Sequence, residues 1–168
     1  RTIFRNVRRI PAAHSLLIDE KGVQEIRHWP LHFDEQHHEP FTVARDTFRN
    51  LIRDSVAEEI AGHKRAGAFL SGGTDSSTVA GVLGQVTGAP APAYSIGFEA
   101  EGYDEMEYAR IAARHFGCEH HEYYVTPADL LASIPAVAQH FDQPFGNSSA
   151  LPAYYCAKVA KADGCTKM

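Results

Sequence analysis

The first forty residues differ from the rest of the chain in the spacing of their apolar positions. Two short apolar stretches, at residues 14–18 and 23–29, flank the polar sequence Asp-Glu-Lys-Gly at 19–22. A polar connection of this length that ends in glycine predicts a β-hairpin. Residues 30–40 carry prolines, histidines and acidic or amide side chains without a regular period, so we expect a linker there.

From residue 41 onward, helical and strand-like spacings alternate. Apolar residues recur at every fourth position from Ala44 to Ile60, which predicts a helix that starts at Phe41 and ends near Gly62. Short apolar runs predict strands at 66–70, 94–98 and 121–125. Helical patterns follow these strands, one ending at Gly88, one running from about Asp104 to Gly117, one starting at Thr126-Pro127 and one starting near Ser149.

Two features of the helical patterns are specific enough to check. The helix from Asp104 is predicted to bury one side, formed by Tyr108, Ile111, Ala112 and Phe116. Pro135 lies inside the helix that starts at Thr126-Pro127, and we expect it to break or kink that helix because proline lacks a backbone N–H.

This order of elements predicts the fold class. Strands that alternate with helices of about 10 to 15 residues form βαβ units and a parallel sheet. We therefore expect an α/β fold, a doubly wound parallel sheet with flanking helices, preceded by a short N-terminal β-hairpin. Ligands of such sheets bind at the carboxyl ends of the strands.

Composition and charge narrow the function classes. Hydrophobic residues make up 44% and charged residues 22% of the 168 residues, as in soluble globular domains. Sixteen Lys and Arg against 21 Asp and Glu give a net charge of −5, which disfavours nucleic acid and anionic membranes as partners. No membrane span or signal peptide is recognisable, and Cys118, Cys156 and Cys165 favour reduced thiols in the cytoplasm.

The most informative segment runs from Phe69 to Ser77, where the first predicted strand of the sheet meets the next helix. Its sequence is Phe-Leu-Ser-Gly-Gly-Thr-Asp-Ser-Ser. Adjacent glycines let a ligand approach the main chain closely, and the amides of a helix N-terminus bind anions. The hydroxyls of Ser71, Ser76 and Ser77 add donors for phosphate oxygens. Asp75 is better suited to hold Mg²⁺ or to fix the loop.

A plain structural interpretation of this segment is also open. Gly-Gly-Thr-Asp is a common strand-to-helix turn, with Thr74 or Asp75 as the N-cap. The full string between a buried strand and an amphipathic helix favours phosphate binding over that alternative. The sequence lacks a Walker-type loop, Gly-x-x-x-x-Gly-Lys-Ser/Thr, so γ-phosphoryl transfer of that kind is not supported.

The segment Ser71–Ser76 resembles the SGGxDS pyrophosphate loop of the N-type ATP pyrophosphatases, which cleave ATP between the α and β phosphates. The flanking sequences resemble glutamine-dependent asparagine synthetases. They are Tyr-Ser-Ile-Gly-Phe at 94–98, Tyr-Asp-Glu at 103–105, Asp-Gln-Pro-Phe-Gly at 142–146 and Ser-Ala-Leu-Pro at 149–152. Residues 4–29 resemble the segment that joins the glutaminase domain to the synthetase domain in that family.

The resemblance implies an ATP-dependent amide ligase with an adenine nucleotide alpha hydrolase-like fold. Such an enzyme activates a carboxylate, here most simply aspartate, as an acyl-adenylate with release of pyrophosphate, and then aminates it with ammonia derived from glutamine. The implied cofactors are ATP and Mg²⁺, with Asp75 as the catalytic residue and metal ligand, and with Leu70 and Ile96 contacting adenosine. The implied ATP and pyrophosphate site comprises Leu70, Ser71, Gly72, Gly73, Thr74, Asp75, Ser76, Ser77, Ile96 and Gly97.

The resemblance also divides the chain and implies its partners. Residues 1–40 would be a hairpin and linker from the end of a glutaminase domain, and residues 41–168 the N-terminal part of a synthetase domain. The chain begins with Arg1, has no cysteine near its start to act as the glutaminase nucleophile, and lacks the acidic SGxGxDE motif that would follow Met168. We therefore expect a piece of a longer protein, inactive alone, whose partners are small-molecule substrates and its own glutaminase domain.

Three points stay open. Another adenylating enzyme with the same loop, such as a β-lactam synthetase-like or sulfur-transfer enzyme, or a non-catalytic nucleotide-binding module, would share these features. Gln143 stands where many relatives have Glu, so an acidic role there is in doubt, and Asp104-Glu105 is expected to cap a helix rather than to bind nucleotide. Four possible zinc ligands lie close together in sequence: His115, Cys118, His120 and His121. They lack the paired spacing of a zinc site, so we expect His115 to pack in the core and Cys118 to lie at a turn.

Overall fold

The computed structural model describes all residues except 1, 34–38, 99–105, 145 and 148. The Tyr-Asp-Glu motif at 103–105 and Phe145 therefore lie outside the described residues. The chain forms two compact units, residues 1–40 and 41–168. None of the helices in the described ranges is long and apolar enough to cross a membrane.

The first unit contains the predicted antiparallel hairpin. Strand β1 comprises His14–Asp19 and strand β2 comprises Gly22–Arg27, with Asp19 opposite Gly22. The turn is shorter than predicted, because Asp19 and Gly22 belong to the strands. The backbone N–H of Lys21 donates to Asp19 Oδ1 over 2.8 Å, and Gly22 has a φ of +127°, which favours glycine.

The second unit alternates helices and strands around a parallel sheet. Its elements are α1 (Phe41–Ile60), β3 (Ala68–Phe69), α2 (Thr74–Thr87), β4 (Pro92–Phe98), α3 (Met106–Phe116), β5 (Glu119–Val125), α4 (Pro127–His140) and α5 (Ala150–Ala162). The strand order is β3-β4-β5, and both pairings are parallel. A single parallel bridge joins Ala66, just before β3, to Lys167. The predicted α/β fold with a parallel sheet and flanking helices is confirmed.

Successive residues of β4 belong to two separate apolar cores. Ala93 packs in a first core that includes Ala80 of α2 and Ala109 of α3. The next residue, Tyr94, packs in a second core with Cys156 of α5. Because side chains alternate between the faces of a strand, helices cover the sheet on both faces.

Helix α1 packs through its C-terminal half. Val56 and Ile60 are half-buried against the first core, whereas Phe48 and Leu51 of the same predicted stripe are 62% and 61% exposed. Helix α1 has 20 residues and packs on α2, which has 14, so α2 cannot cover it along its full length.

The buried side of α3 differs from the predicted one. Met106, Ala109 and Ala113 are buried, whereas Tyr108 and Ile111 are 66% and 53% exposed. The buried residues pack in the first core, where Met106 is one of the largest fully buried side chains. Of the predicted apolar stripe, Ala112 does pack against the first core, whereas the prediction is wrong for Tyr108 and Ile111.

Helix α4 begins as predicted and continues through Pro135. The hydroxyl of Thr126 accepts a hydrogen bond from the Asp129 N–H over 3.2 Å, and the Asp129 carboxylate accepts one from the Thr126 N–H over 2.9 Å. The predicted break is wrong, since the helix runs on to His140. Proline removes the hydrogen bond to the Leu131 carbonyl, and Leu131 is 71% exposed, so water can replace that bond.

Candidate functional site

The Ser71–Ser77 loop begins where the chain leaves the sheet. Leu70 is still held to β4, because its N–H donates to the Tyr94 carbonyl over 2.9 Å. The Leu70 carbonyl accepts a hydrogen bond from Ser95 Oγ over 2.5 Å. The loop therefore starts at the carboxyl end of β3, where parallel sheets bind their ligands.

Two serine hydroxyls fix the conformation of this loop. Ser76 Oγ accepts a hydrogen bond from the Ser71 N–H over 3.1 Å and lies 2.9 Å from Ser71 Oγ. Ser71 Oγ in turn accepts from the Gly73 N–H over 3.3 Å. The turn from β3 into α2 is thus held by its own side chains.

Gly72 brings the loop into direct contact with α3. Its φ is +81°, and a Cβ atom at this position would lie 2.4 Å from the Tyr108 carbonyl carbon and 2.6 Å from the Ala109 nitrogen. Both the backbone conformation and the space therefore demand glycine. Gly73 is less constrained, since its Cβ would approach only Ser71 Oγ, at 3.3 Å.

The N-terminus of α2 presents backbone donors next to the loop. A helical hydrogen bond runs from the Ser77 N–H to the Gly73 carbonyl over 3.0 Å, and the amides of residues 74–76 precede it. Thr74 and Asp75 are exposed in this first turn. Ser77 Oγ is buried and has no hydrogen-bond partner within the described part of the chain. Such a helix end can bind an anion through its free N–H groups and its dipole.

The two residues expected to contact adenosine lie on opposite faces of the sheet. Leu70 is 2% exposed, and its side chain belongs to the first core. Ile96 is half-buried beside the second core. Gly97 is buried, and a Cβ there would lie 2.5 Å from the Tyr124 ring. The binding roles of these residues stay predictions.

Two polar pairs beside the loop were not predicted from the sequence. Ser95 is 4% exposed, and its Oγ lies 2.7 Å from His120 Nε2. Burial lowers the pKa of His120.

The second pair joins α3 to β5. Arg110 of α3 donates to both carboxylate oxygens of Glu122, over 2.8 and 2.6 Å. These hydrogen bonds hold the pKa of Glu122 below its usual value.

The histidines and cysteine near the end of α3 do not gather around a common point. The described residues contain no group of three or more His, Cys, Asp or Glu suited to a metal ion. His121 stacks on Tyr94 with ring centroids 4.7 Å apart, and Cys118 follows a turn in which Gly117 has a φ of +63°. His115 is exposed, so the core packing expected for it is wrong: it lies on the side of α3 that faces away from the sheet.

Comparison with known proteins gives the family. The sequence pattern of the family described as asparagine synthase matches residues 47–168. The chain is 31% identical over 163 residues to the putative glutamine-hydrolyzing asparagine synthetase 2 of Methanocaldococcus jannaschii, which covers 95% of this chain and 31% of that protein. It is also 31% identical over 126 residues to the glutamine-hydrolyzing asparagine synthetase 1 of Bacillus subtilis, covering 73% of this chain and 20% of that protein.

A solved structure supports the fold. NMN synthetase from Francisella tularensis superposes with a TM-score of 0.51 at 19% identity, over 70% of this chain and 50% of that one. The chain spans about a third of the length of the first relative and a smaller part of the second. On the match over residues 47–168, the chain belongs to the asparagine synthase family.

Proposed function

We propose that this chain provides the ATP-binding part of a ligase that activates a carboxylate as an acyl-adenylate and then forms an amide. The observation that carries the proposal is the Ser71–Ser77 loop at the carboxyl end of β3. There, Gly72 is pressed against α3, and the amides at the start of α2 are left without helical partners. Backbone donors at a helix N-terminus suit the pyrophosphate portion of ATP.

Activation would be a displacement at the α-phosphorus of ATP. An oxygen of the substrate carboxylate donates an electron pair to this phosphorus, the bond to the oxygen that bridges to the β-phosphorus breaks, and pyrophosphate leaves with that electron pair. Ammonia then attacks the acyl carbon, the bond to AMP breaks, and the nitrogen loses a proton. The loop amides favour the first step because they stabilise the charge that develops on the leaving pyrophosphate.

Asp75 is the residue proposed to hold Mg²⁺. It is the carboxylate of the loop and is exposed, and Mg²⁺ is commonly bound by one or two carboxylates together with water and substrate phosphates. The ion, when bound, would neutralise charge on the phosphates. Ser71 and Ser76 hold the loop in shape.

We further propose that aspartate is the carboxylate, that glutamine supplies the ammonia, and that residues 1–40 adjoin a glutaminase domain of a longer cytoplasmic protein. The relatives are glutamine-hydrolyzing asparagine synthetases, which supports aspartate as the carboxylate and glutamine as the source of ammonia. All three cysteines of this chain are free thiols, which suits a reducing compartment.

The test is the formation of AMP and pyrophosphate from ATP by the longer protein, with aspartate and glutamine supplied. We expect both products to depend on aspartate and to fall about tenfold or more in Ser76→Ala, which removes an acceptor of the Ser71 N–H. Thr87→Ala is the matched control, because its hydroxyl bonds to a carbonyl at the other end of α2. Turnover with another carboxylate but not with aspartate would favour a different adenylating enzyme. ATP binding without pyrophosphate release would favour a non-catalytic module.

A further inference from the structure

A buried chain of hydrogen bonds, here called the relay, joins Leu70, Ser95 and His120 just before the Ser71–Ser77 loop. The proposed function does not use it. Ser95 Oγ, on β4, stands 2.5 Å from the Leu70 carbonyl oxygen and 2.7 Å from His120 Nε2 on β5. Ser95 is 4% exposed, and the side chain of His120 is 11% exposed. The relay therefore links β4 and β5 to Leu70, the residue that follows β3 and precedes Ser71.

The hydrogens of this relay can be assigned from chemistry alone. A carbonyl oxygen only accepts, and a serine hydroxyl has one hydrogen to donate. The Ser95 hydrogen must therefore point to Leu70, and the contact at 2.7 Å then requires His120 Nε2 to carry a hydrogen and to donate it to Ser95 Oγ. The opposite tautomer, with the hydrogen on Nδ1, would draw the Ser95 hydrogen to Nε2 and release the Leu70 carbonyl.

The charges around His120 do not undo this assignment. Its Nδ1 lies 3.5 Å from Glu122 Oε1, and the charge of Glu122 is balanced by Arg110 of α3. His121, on the same strand, slightly lowers the pKa of His120. Protonation of Nδ1 would add a hydrogen facing Glu122 but would leave Nε2–H in place. The relay therefore holds in both charge states of His120.

The relay ends the pairing of β3 with β4. The Leu70 N–H still bonds to the Tyr94 carbonyl, as in a parallel ladder, but the Leu70 carbonyl bonds to a side chain. A hydroxyl donor lets the chain leave the sheet at this residue without an unsatisfied buried carbonyl.

We propose that Ser95 and His120 are positioning residues: with Nε2–H as the donor, they lock the Leu70 carbonyl and so fix the backbone where the Ser71–Ser77 loop begins, in addition to the hydrogen bonds within the loop. Their effect on nucleotide binding rests on the proposed function, whereas their effect on the loop does not.

The first test is the tautomer of His120, read by nitrogen NMR of the histidine rings in the intact chain. We expect Nε2 to be protonated on both sides of the His120 titration. A neutral ring with its hydrogen on Nδ1 would overturn the proposal.

The second test is hydrogen exchange of the Ser71 and Gly73 amides. We expect Ser95→Ala to speed their exchange about tenfold and Ser95→Thr, which keeps the hydroxyl, to stay within about twofold of the wild type. Ser133→Ala is the matched control: Ser133 is 2% exposed, and its hydroxyl also bonds to a carbonyl, Leu130, but in α4. Exchange in the first core is measured alongside to separate local opening from global unfolding.

Variants of His120 complete the test. His120→Gln offers an amide donor and should keep the loop protected. His120→Leu removes the donor that orients the Ser95 hydroxyl but leaves its hydrogen bond to Leu70 possible, so we expect a smaller loss of protection than in Ser95→Ala. Equal exchange in all variants would overturn the proposal. If the wild type binds no MgATP while the Ser95 and His120 results come out as expected, the proposed function fails and the loop-positioning role stands.

Discussion

Replacing Gly72 with alanine tests the close contact between the loop and α3. The structure gives two independent reasons to expect a lower free energy of unfolding. The φ of +81° is unfavourable for a residue with a side chain, and the new Cβ would lie 2.4 Å from the carbonyl carbon of Tyr108 and 2.6 Å from the nitrogen of Ala109. These are backbone atoms inside a helix, so they cannot move away by a side-chain rotation.

The two costs can be separated with a second glycine. A left-handed conformation costs a residue with a side chain about 1–2 kcal/mol. Overpacking in a filled site adds about 1–3 kcal/mol. Gly88, the C-cap of α2, has a φ of +66°, and no atom of the described residues lies within 4 Å of a new Cβ, so Gly88→Ala carries only the first cost. We expect Gly72→Ala to lose about 2–5 kcal/mol of unfolding free energy, clearly more than the control.

The assay is urea unfolding of the wild type and both variants, followed by circular dichroism, with the slope of the transition compared to verify that the unfolded states are alike. A Gly72→Ala variant no less stable than Gly88→Ala would refute the close approach of the loop to α3.

Three further predictions follow from other parts of the second unit. Thr126→Ala should lower the unfolding free energy by about 1 kcal/mol through loss of the N-cap of α4, with Thr126→Ser near wild type in the same urea assay. Arg110→Met should destabilise the fold at neutral pH. The pKa of Glu122 is lower in the folded than in the unfolded protein. The stabilisation by the Arg110–Glu122 ion pair is therefore present above the unfolded pKa and is lost as pH falls through the folded pKa. Unfolding curves of the two proteins should therefore converge in acid, and a gap that persists there would contradict the ion pair. Burial raises the pKa of Cys156 to about 12, so iodoacetamide should modify it no faster than the protein unfolds, as mass spectrometry of labelled peptides would show.

Local sequence signals predicted the elements of the second unit well. Thr126-Pro127 at the start of α4 and Gly88 at the end of α2 act through their own backbone conformations, which depend on few distant contacts. The loop at Ser71–Ser77 was placed correctly between a strand and a helix for the same reason.

What the sequence could not reveal depends on contacts between distant segments. Gly72 contacts the α3 backbone at Tyr108 and Ala109, which lie more than thirty positions away in the sequence. The burial of Met106 and Ala109 depends on how α3 packs in the first core. The pairing of Ser95 with His120 depends on strand register, and neither residue has a local pattern that marks it. The predicted break at Pro135 rests on the general effect of proline on helices alone. Helix α4 continues because its exposed surface there tolerates the missing hydrogen bond.

The measurement that tests the central proposal most directly is a calorimetric titration of this chain with MgATP, with GTP as the ligand control. Asp75→Asn removes the exposed carboxylate of the first turn of α2, and Glu107→Gln removes one from the first turn of α3 as a matched control. We expect saturable binding of MgATP but not of GTP, weakened about tenfold by Asp75→Asn and little changed by Glu107→Gln. Absence of MgATP binding to the folded chain, or equal binding by all three proteins, would contradict the assignment of this loop as a nucleotide site.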